Sequence, residues 1–511
     1  MSLRSLRFRF TDCVIINKIH ILRYLNQSKM AYRYGNREQL TFLPDSIERY
    51  VTQEDPVRVY DAFIEALEPT ELGIELDENA VGNSSYDPIT MLKILIYGYS
   101  YGWRSSRKIE RALYHNMSFI WLAGGLKPDH KTISNFRKEH KSLIKGVLSQ
   151  CARICMRLGL IEGNSLFVDG SKFRANAGNN QTKSADTWKR YKRHIEDRIE
   201  QLLDECQKID DSETESLVSI NKELQNKKGL RDKIGQLLEG MKHSPSSEQG
   251  QERINGTDPD CKIMKGRQGS HAGYNGQIVT DDTHGLIVST DASTSRNDLN
   301  ELSKQINLAE QILEKPCENV CADAGYSSLN DITPLIQEGK TVVVPNNKQV
   351  QKKPKENMFE RAAFIYDPVE DTYTCPEGKE LYRANISTDK GRIEYRMKAP
   401  SACRNCVHFG VCTKSKSGRR LYRQIYEENK ELLEKTYESQ EGQLLYARRK
   451  MRVEHPFGHI KNNLGVRSFL LRGIEGVNAE LSLLGTCFNI TRMITIMGGA
   501  QALVRVLRDN A

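Results

Sequence analysis

The sequence predicts a mixed α/β protein, with an all-α region over residues 55–163 followed by an α/β core over 164–354 and 421–475. Three observations predict it. From about Asp55 to Gly163 apolar residues recur every three or four positions, the spacing of helices with one buried face. From Ser165 onward short apolar runs alternate with helical spacing as far as TVVVP, which ends at Pro345. Two stretches follow neither pattern, 184–249 and 355–420, and read as insertions, one helical and one bearing cysteines. At 511 residues the chain is too long for one ordinary core. Residues 1–54 read as an N-terminal extension and lead-in, and 476–511 as C-terminal helices.

The elements follow in order. Residues 1–29 carry Arg4, Arg7 and Arg9 and then an apolar stretch broken by Lys18, His20 and Arg23, so no secretory signal is expected. Met30 opens a more ordinary start, and 1–29 read as an upstream extension. Helices are expected at 57–67, 88–100, 104–115, 131–142 and 143–158. Ser105 to Arg137 reads as a helix-turn-helix, with a turn at Gly124-Gly125 and Asp129 capping the second helix. Lys131, Ser134, Asn135, Arg137 and Lys138 would project from that helix, residue types suited to phosphates and base edges. The bland alternative is a helical pair with a solvated basic face.

LFVDG is read as a strand ending on Asp169. Within 184–249, apolar positions at Ile195, Ile199, Leu202, Leu203, Leu217, Ile220 and Leu224 predict a helical hairpin split by DDSETES, with HSPSSEQGQ as a linker. YNGQIVTDD and LIVSTDAST flank a turn at Thr283-His284-Gly285 and predict a β-hairpin. Asn297-Asp298 is expected to cap a helix running to about Glu314. ENVCADAGY is read as a strand ending in Asp323, followed by a helix at 328–338 and the strand TVVVP. Residues 427–471 read as helical and basic, and 475–508 as an apolar helix pair.

Composition bounds the function. With 38% hydrophobic and 28% charged residues and a mean hydropathy of −0.58, a soluble globular protein is expected, and no uncharged apolar run approaches the ~20 residues that span a bilayer. The net charge of +9 is a mild bias toward polyanions. Twelve cysteines are far too few for a disulfide scaffold, which points to a reduced cytoplasmic compartment.

Two apolar runs end in aspartates, Asp169 and Asp323, each followed closely by glycine. In an α/β sheet, side chains at the carboxyl ends of strands face the ligand crevice. Asp291 is a rival; Asp281 and Asp282 adjoin a turn where aspartate is expected anyway. Glu454 is the one acid in a window, Tyr446 to Arg472, that holds seven Lys and Arg residues. A carboxylate in a phosphate-binding surface repels its ligand unless a cation intervenes, and hard oxygen donors suit Mg²⁺ or Mn²⁺. Pairing of Glu454 with Lys450, one helical turn earlier, is the structural alternative. Pro456 is expected to kink or restart the helix at His455, which itself reads as structural.

Glu454 and Lys461 separated by six residues, with Tyr446 and Arg449 upstream, resemble the signature around the third acid of bacterial cut-and-paste insertion-sequence transposases of the DDE type. FVDGSKFRANA resembles the first-aspartate segment of that family, CADAGYSS the second, and residues 85–140 its N-terminal region. One departure is a gap of four residues between Arg449 and Glu454 where some relatives have three, which Lys450 would close. The resemblance implies an RNase H-like catalytic core in which Asp169, Asp323 and Glu454 hold two Mg²⁺ or Mn²⁺ ions for in-line displacement at phosphorus. It further implies that Tyr446, Arg449 (or Lys450) and Lys461 contact transposon-end DNA, and that a homodimer, not membrane-bound, brings two terminal inverted repeats to target DNA. A domesticated, non-catalytic DNA-binding protein and a metal-dependent nuclease without strand transfer are the competing readings.

Cys375, Cys403, Cys406 and Cys412 form a separate group with one CxxC pair. Tetrahedral structural zinc and four reduced, unligated thiols are both compatible with the spacing, and His408 is an alternative ligand.

Overall fold

The computed structural model describes residues 46–74, 86–210, 217–242, 253–266, 269–346, 359, 361–387 and 391–509. Met1–Arg49 and Tyr50–Ala511 are separate units, and the second holds every element considered below. The suggested extension at 1–29 and the linker at 243–251 lie outside the described residues.

The helical region comprises α1 (Val57–Glu65), α2 (Pro88–Ser100), α3 (Ser106–His115), α4 (Met117–Leu122), α5 (His130–Glu139) and α6 (Lys141–Arg157). Asp87 caps α2 by accepting the Ile89 and Thr90 amides at 3.1 and 2.8 Å, with Pro88 at the first helical position where its missing N–H costs nothing. Asp129 caps α5 through the Thr132 amide at 2.7 Å, and Gly124 and Gly125 supply the left-handed turn before it. Helix α4 was not expected; Asn116 caps it by accepting from the Phe119 amide. The α5–α6 break falls at His140, not after residue 142.

The central sheet is built around β1 (Ser165–Arg174). It pairs antiparallel with β5 (Gly269–Asp281), which also pairs antiparallel with β4 (Lys262–Gly266) and with β6 (Ile287–Ser293). On its other side β1 runs parallel to β7 (Asn319–Cys321), and β7 parallel to β8 (Thr341–Val343). Strand β1 does not end at Asp169: the antiparallel pairing carries it five residues further, so Asp169 lies mid-strand opposite Ile278. Strand β7 ends at Cys321, two residues short of Asp323. Helix α9 (Leu302–Leu313) and helix α10 (Leu329–Gln337) make the connections.

The first insertion leaves the sheet through a two-stranded pair, β2 (Thr182–Ser184) with β3 (Arg253–Asn255), and carries α7 (Ala185–Asp210) and α8 (Leu217–Lys242). Trp188, Ile195, Ile199, Leu202, Leu224 and Ile234 form its own small core. Leu203 is exposed, and the side chains of Leu217 and Ile220 lie outside the described residues. The second insertion is a five-stranded antiparallel sheet, β9 (Ile365–Asp367), β10 (Thr372–Thr374), β11 (Glu380–Ser387), β12 (Arg392–Arg396) and β13 (Arg420–Gln424), each strand beside the next.

Helices α12 (Glu427–Glu438) and α13 (Gln440–Gly458) follow, and α13 passes into a π turn at His459–Asn463. Pro456 therefore does not break the helix at His455, and the helix runs on to Gly458 before the π turn. Residues 464–472 are not helical, which corrects the expectation of a helix to 471. The chain closes with α14 (Gly473–Ile496) and α15 (Ala500–Asp509). Helix α14 packs against α6, α2 and β6. Among the described residues no single helix is long and apolar enough to cross a membrane; α14 and α15 meet that test only together, across a bend of 105°.

Two buried carboxylates tie these parts together. Glu480 on α14 meets Arg104 at 2.6 Å and accepts the Leu470 and Leu471 amides at 2.7 and 3.0 Å, with its side chain wholly buried. Removing one partner of such a pair leaves an uncompensated buried charge, so Glu480→Ala is expected to lower the unfolding free energy by about 3–5 kcal/mol. Urea denaturation checks this, and a loss below about 1 kcal/mol would contradict it. Glu427 joins the second insertion to α12. Burial alone would raise its carboxyl, but Arg361, Lys430 and the Gln424 amide outweigh that and hold it at about 2. Its pKa is depressed on folding, so its contribution is present above the usual carboxylate range and lost as pH falls toward 2. Glu427→Gln is expected to be less stable at pH 7, with the deficit shrinking between about pH 5 and 2.

Candidate active site

The register of the two parallel strands sets the site. Phe167 on β1 faces Cys321, the last residue of β7; Asp169 lies two residues further along β1, and Asp323 two residues past the end of β7. Side chains two apart on a strand share a face, so Asp169 shares the α13-covered face with Phe167, and Asp323 acts on its charge from just past the end of β7. Phe167, Cys321 and Val343 pack there against Leu445 and Val453 of that helix.

Asp169 is 19% exposed and accepts the Gly170 amide at 2.9 Å. Burial raises its carboxyl, the Arg449 guanidinium 3.9 Å away pulls it down, and Asp323 and Asp298 push it up again; the outcome is about 7. Asp323 accepts the Gly325 amide at 2.8 Å and caps the short turn Ala324–Tyr326. This corner therefore holds more negative charge than its own cations neutralise.

A third carboxylate there is Asp298, which the sequence reading assigned to a helix cap. The helix begins four residues later, at Leu302, where Asp331 accepts the Leu302 amide at 2.7 Å. Asp298 instead turns toward β1. A Cβ added to Gly170 would lie 2.4 Å from Asp298 Oδ1, and one added to Gly325 would lie 2.9 Å from Asp323 Oδ1 and 3.6 Å from Asp298 Oδ2. Only glycine lets the acids approach the backbone this closely. Asn275 and Gln277 on β5 donate to Asp298 Oδ1 at 2.6 and 2.8 Å, and the Tyr326 hydroxyl donates to Gln277. Lys172 stands 3.7 Å from Asp298, its buried ammonium without a hydrogen-bond partner and its pKa lowered by burial. The one available sequence signal was that Asp298 follows a β-hairpin leading back to β1.

Glu454 is solvent-exposed on α13. Among the described residues no three His, Cys, Asp or Glu side chains are grouped to hold a metal ion. Glu454 does lie between the two points where its helix meets β1. Arg449 reaches Asp169 before it, and after it Lys461 donates to Ser171 Oγ at 2.6 Å and to the Lys172 carbonyl at 3.1 Å. Arg449 packs over the half-buried Tyr446 ring at 5.3 Å, and its Nε and Nη1 are buried without hydrogen-bond partners. Lys450 is exposed, so of the two bases it is Arg449 that turns inward. Arg448 and Arg452 instead pair with Asp282 at 2.9 and 3.7 Å. Asp291, the rival acid, is buried on β6 with Lys304 and Gln305. His455 lies 5.4 Å from the Phe488 ring.

On α5, Lys131 and Lys138 are exposed and Ser134 and Asn135 half-buried. Arg137 does not project: it is 7% exposed and donates to the Tyr99 hydroxyl and the Arg104 carbonyl, both at 2.9 Å. Its helical position faces α2, where a buried acceptor holds it.

A family model described as "Transposase DDE domain" matches residues 374–494, and one described as "Transposase domain (DUF772)" matches residues 45–139. Together these two matches support an insertion-sequence DDE transposase. No curated protein matches it. A piggyBac transposase in a cryo-EM synaptic complex with hairpin DNA is similar over 89% of this chain and 79% of that one, at 10% identity and a TM-score of 0.31, too low to inform the arrangement described here. The matched spans of the transposase contain Glu454, Lys461 and the four clustered cysteines; Asp169 and Asp323 lie between them.

The charge on Asp169 has a measurable consequence. Its pKa is raised on folding, so stability falls as pH rises from about 4 through about 7. In cation-free buffer, Asp169→Asn is expected to make the transposase more stable at pH 8 by about 1–3 kcal/mol, with the difference vanishing below pH 4. Urea titrations across that range test it, and a variant less stable than the parent at pH 8 contradicts it.

Proposed function

We propose that this transposase binds the terminal inverted repeats of its element and cuts and joins DNA through Asp169, Asp323 and Glu454. The observation that supports the reading is the corner where β1, the end of β7 and Asp298 meet, with Asp298 oxygens close to Gly170 beside Asp169 and, together with Asp323, to Gly325. The sheet supports an RNase H-like core: β6, β5 and β1 form an antiparallel series, and β7 and β8 extend it in parallel.

The donor set fits a divalent cation, since two hard carboxylates share one corner and their mutual repulsion is what such an ion removes. When bound, Mg²⁺ or Mn²⁺, as a pair of ions, activates water and then a DNA 3′-OH and stabilises the leaving oxygen. The chain's own groups hold the rest. Asp169 and Asp323 are the fixed ligands, and Glu454 joins them from the flank of α13. Arg449 brings an inward guanidinium with unpaired donors, suited to a phosphate beside Asp169. Tyr446 braces Arg449, and Lys461 keeps α13 against β1 beside the same phosphate path. The helical region binds the repeats through Lys131, Ser134, Asn135 and Lys138 on α5, and two copies bring two ends together.

The test uses the full-length protein with DNA carrying both ends of the element and Mg²⁺. Asp169→Ala, Asp323→Ala and Glu454→Ala are each expected to cut end cleavage by at least about 100-fold while gel-shift affinity for the ends stays within a few-fold. An active Glu454→Ala variant removes Glu454 from the site, and an active Asp169→Ala variant removes the site itself. Cleavage without joined products favours a nuclease, and end binding without cleavage by the unaltered chain favours a domesticated binding protein. Binding affinity is expected to fall with a log–log salt slope of about −0.9 per phosphate contacted.

A further inference from the structure

The second insertion has too little core to hold five strands. Its buried apolar residues are Phe364, Tyr373, Leu381, Tyr395, Met397 and Leu421, and two of its strands are only three residues long. Sheets this small usually need a covalent or metal staple. All four of its cysteines are free thiols, so no disulfide supplies one.

These thiols come from three separate turns and line one cavity of about 30 Å³. Cys375 directly follows β10 and opens the tight turn into β11, where Gly378 takes a φ of 71°. That turn aims the Lys379 amide at the Cys375 sulfur, 3.4 Å away. Cys403 sits on the one-turn helix α11 (Ser401–Arg404), and its sulfur accepts the Arg419 amide at 3.5 Å. Cys406 follows at CxxC spacing, its amide donating to the Cys403 carbonyl at 3.2 Å. The Cys412 amide donates to the His408 carbonyl at 2.8 Å. Two backbone amides aimed at sulfur and the apolar walls of Phe364, Leu381 and Met397 give the four cysteines one shared pocket of the kind that holds a tetrahedral thiolate-bound metal. His408, the alternative ligand, has its Nε2 engaged by Glu377 at 3.0 Å.

We infer that Cys375, Cys403, Cys406 and Cys412 bind one structural Zn²⁺ that staples the five-stranded insertion. The thiols share the cavity but, among the described residues, are not grouped at ligand spacing, so holding the ion would require the four sulfurs to close on it and bind as thiolates. A site closed by four thiolates has no open position, so its role is fold stability. The inference rests on nothing in the carboxylate corner.

Full-length protein purified from zinc-supplemented medium without chelator is expected to carry about one zinc per chain by elemental analysis. Cys403→Ser with Cys406→Ser is expected to reduce that to below about 0.2. Because that variant can misfold, the unaltered protein supplies a second measurement: exchange into Co²⁺ is expected to give the visible absorption of tetrahedral cobalt thiolate. Less than about 0.1 zinc per chain in the unaltered protein, unchanged zinc in the double variant, or a Co²⁺ spectrum without thiolate bands each overturns the site.

Discussion

Helix α14 is the constraint on which the rest of the molecule depends, because it is buried along most of its length between the helical region and the central sheet. An interior helix cannot be uniformly apolar if it must also choose one orientation. Its polar side chains do the choosing. Asn489 donates to the Ile287 carbonyl and accepts the Ile287 amide, both at 2.8 Å, which pins the helix to the free edge of β6. Ser482 meets Thr290 on the same strand at 3.0 Å, and Glu480 reaches the other way to Arg104 and the 470–471 backbone. An apolar surface could slide; these bonds are satisfied in one register only.

That register reaches the candidate site. Fixing β6 fixes β5, and β5 fixes β1 through nine consecutive residue pairs from Leu166 to Arg174. The loop held by Glu480 also returns to β1, since the Phe469 amide donates to the Arg174 carbonyl at 3.0 Å. The far end of α13 is therefore tied to the strand that carries Asp169. Two aspartates whose charges oppose one another keep their spacing because their backbones are held from outside the site.

Much of this was legible in the sequence where the physics is local. Capping aspartates, the Gly124-Gly125 turn and the Thr283-His284-Gly285 hairpin are decided by neighbouring residues, and so are helices with one apolar stripe. The second insertion was not legible, because strands of three residues such as Ile365–Asp367 are too short to show alternation. Arg137 misled for a different reason: a basic residue on a polar helix reads as solvated unless a buried acceptor on another element, here Tyr99, claims it. Asp298 was hidden in the same way. Its sequence neighbours suit a helix cap, and only the return of β5 beside β1 shows that it faces two other acids.

The basic window around Glu454 shows what charge counting can carry. Its seven cations read as one phosphate-binding surface, yet the helix distributes them by angle. Arg448 and Arg452 turn to Asp282 on one flank, and Lys461 is held by Ser171 and the Lys172 carbonyl on the other. Arg449 points at Asp169 from beyond ideal hydrogen-bond distance, with donors left over among the described residues. A buried guanidinium paired with its acid only at long range, with N–H donors unsatisfied, lowers stability unless something negative arrives to use them. A phosphate does so only if the acids beside it are neutralised first. The same corner that disfavours the empty protein therefore couples cation and phosphate, each lowering the cost of the other.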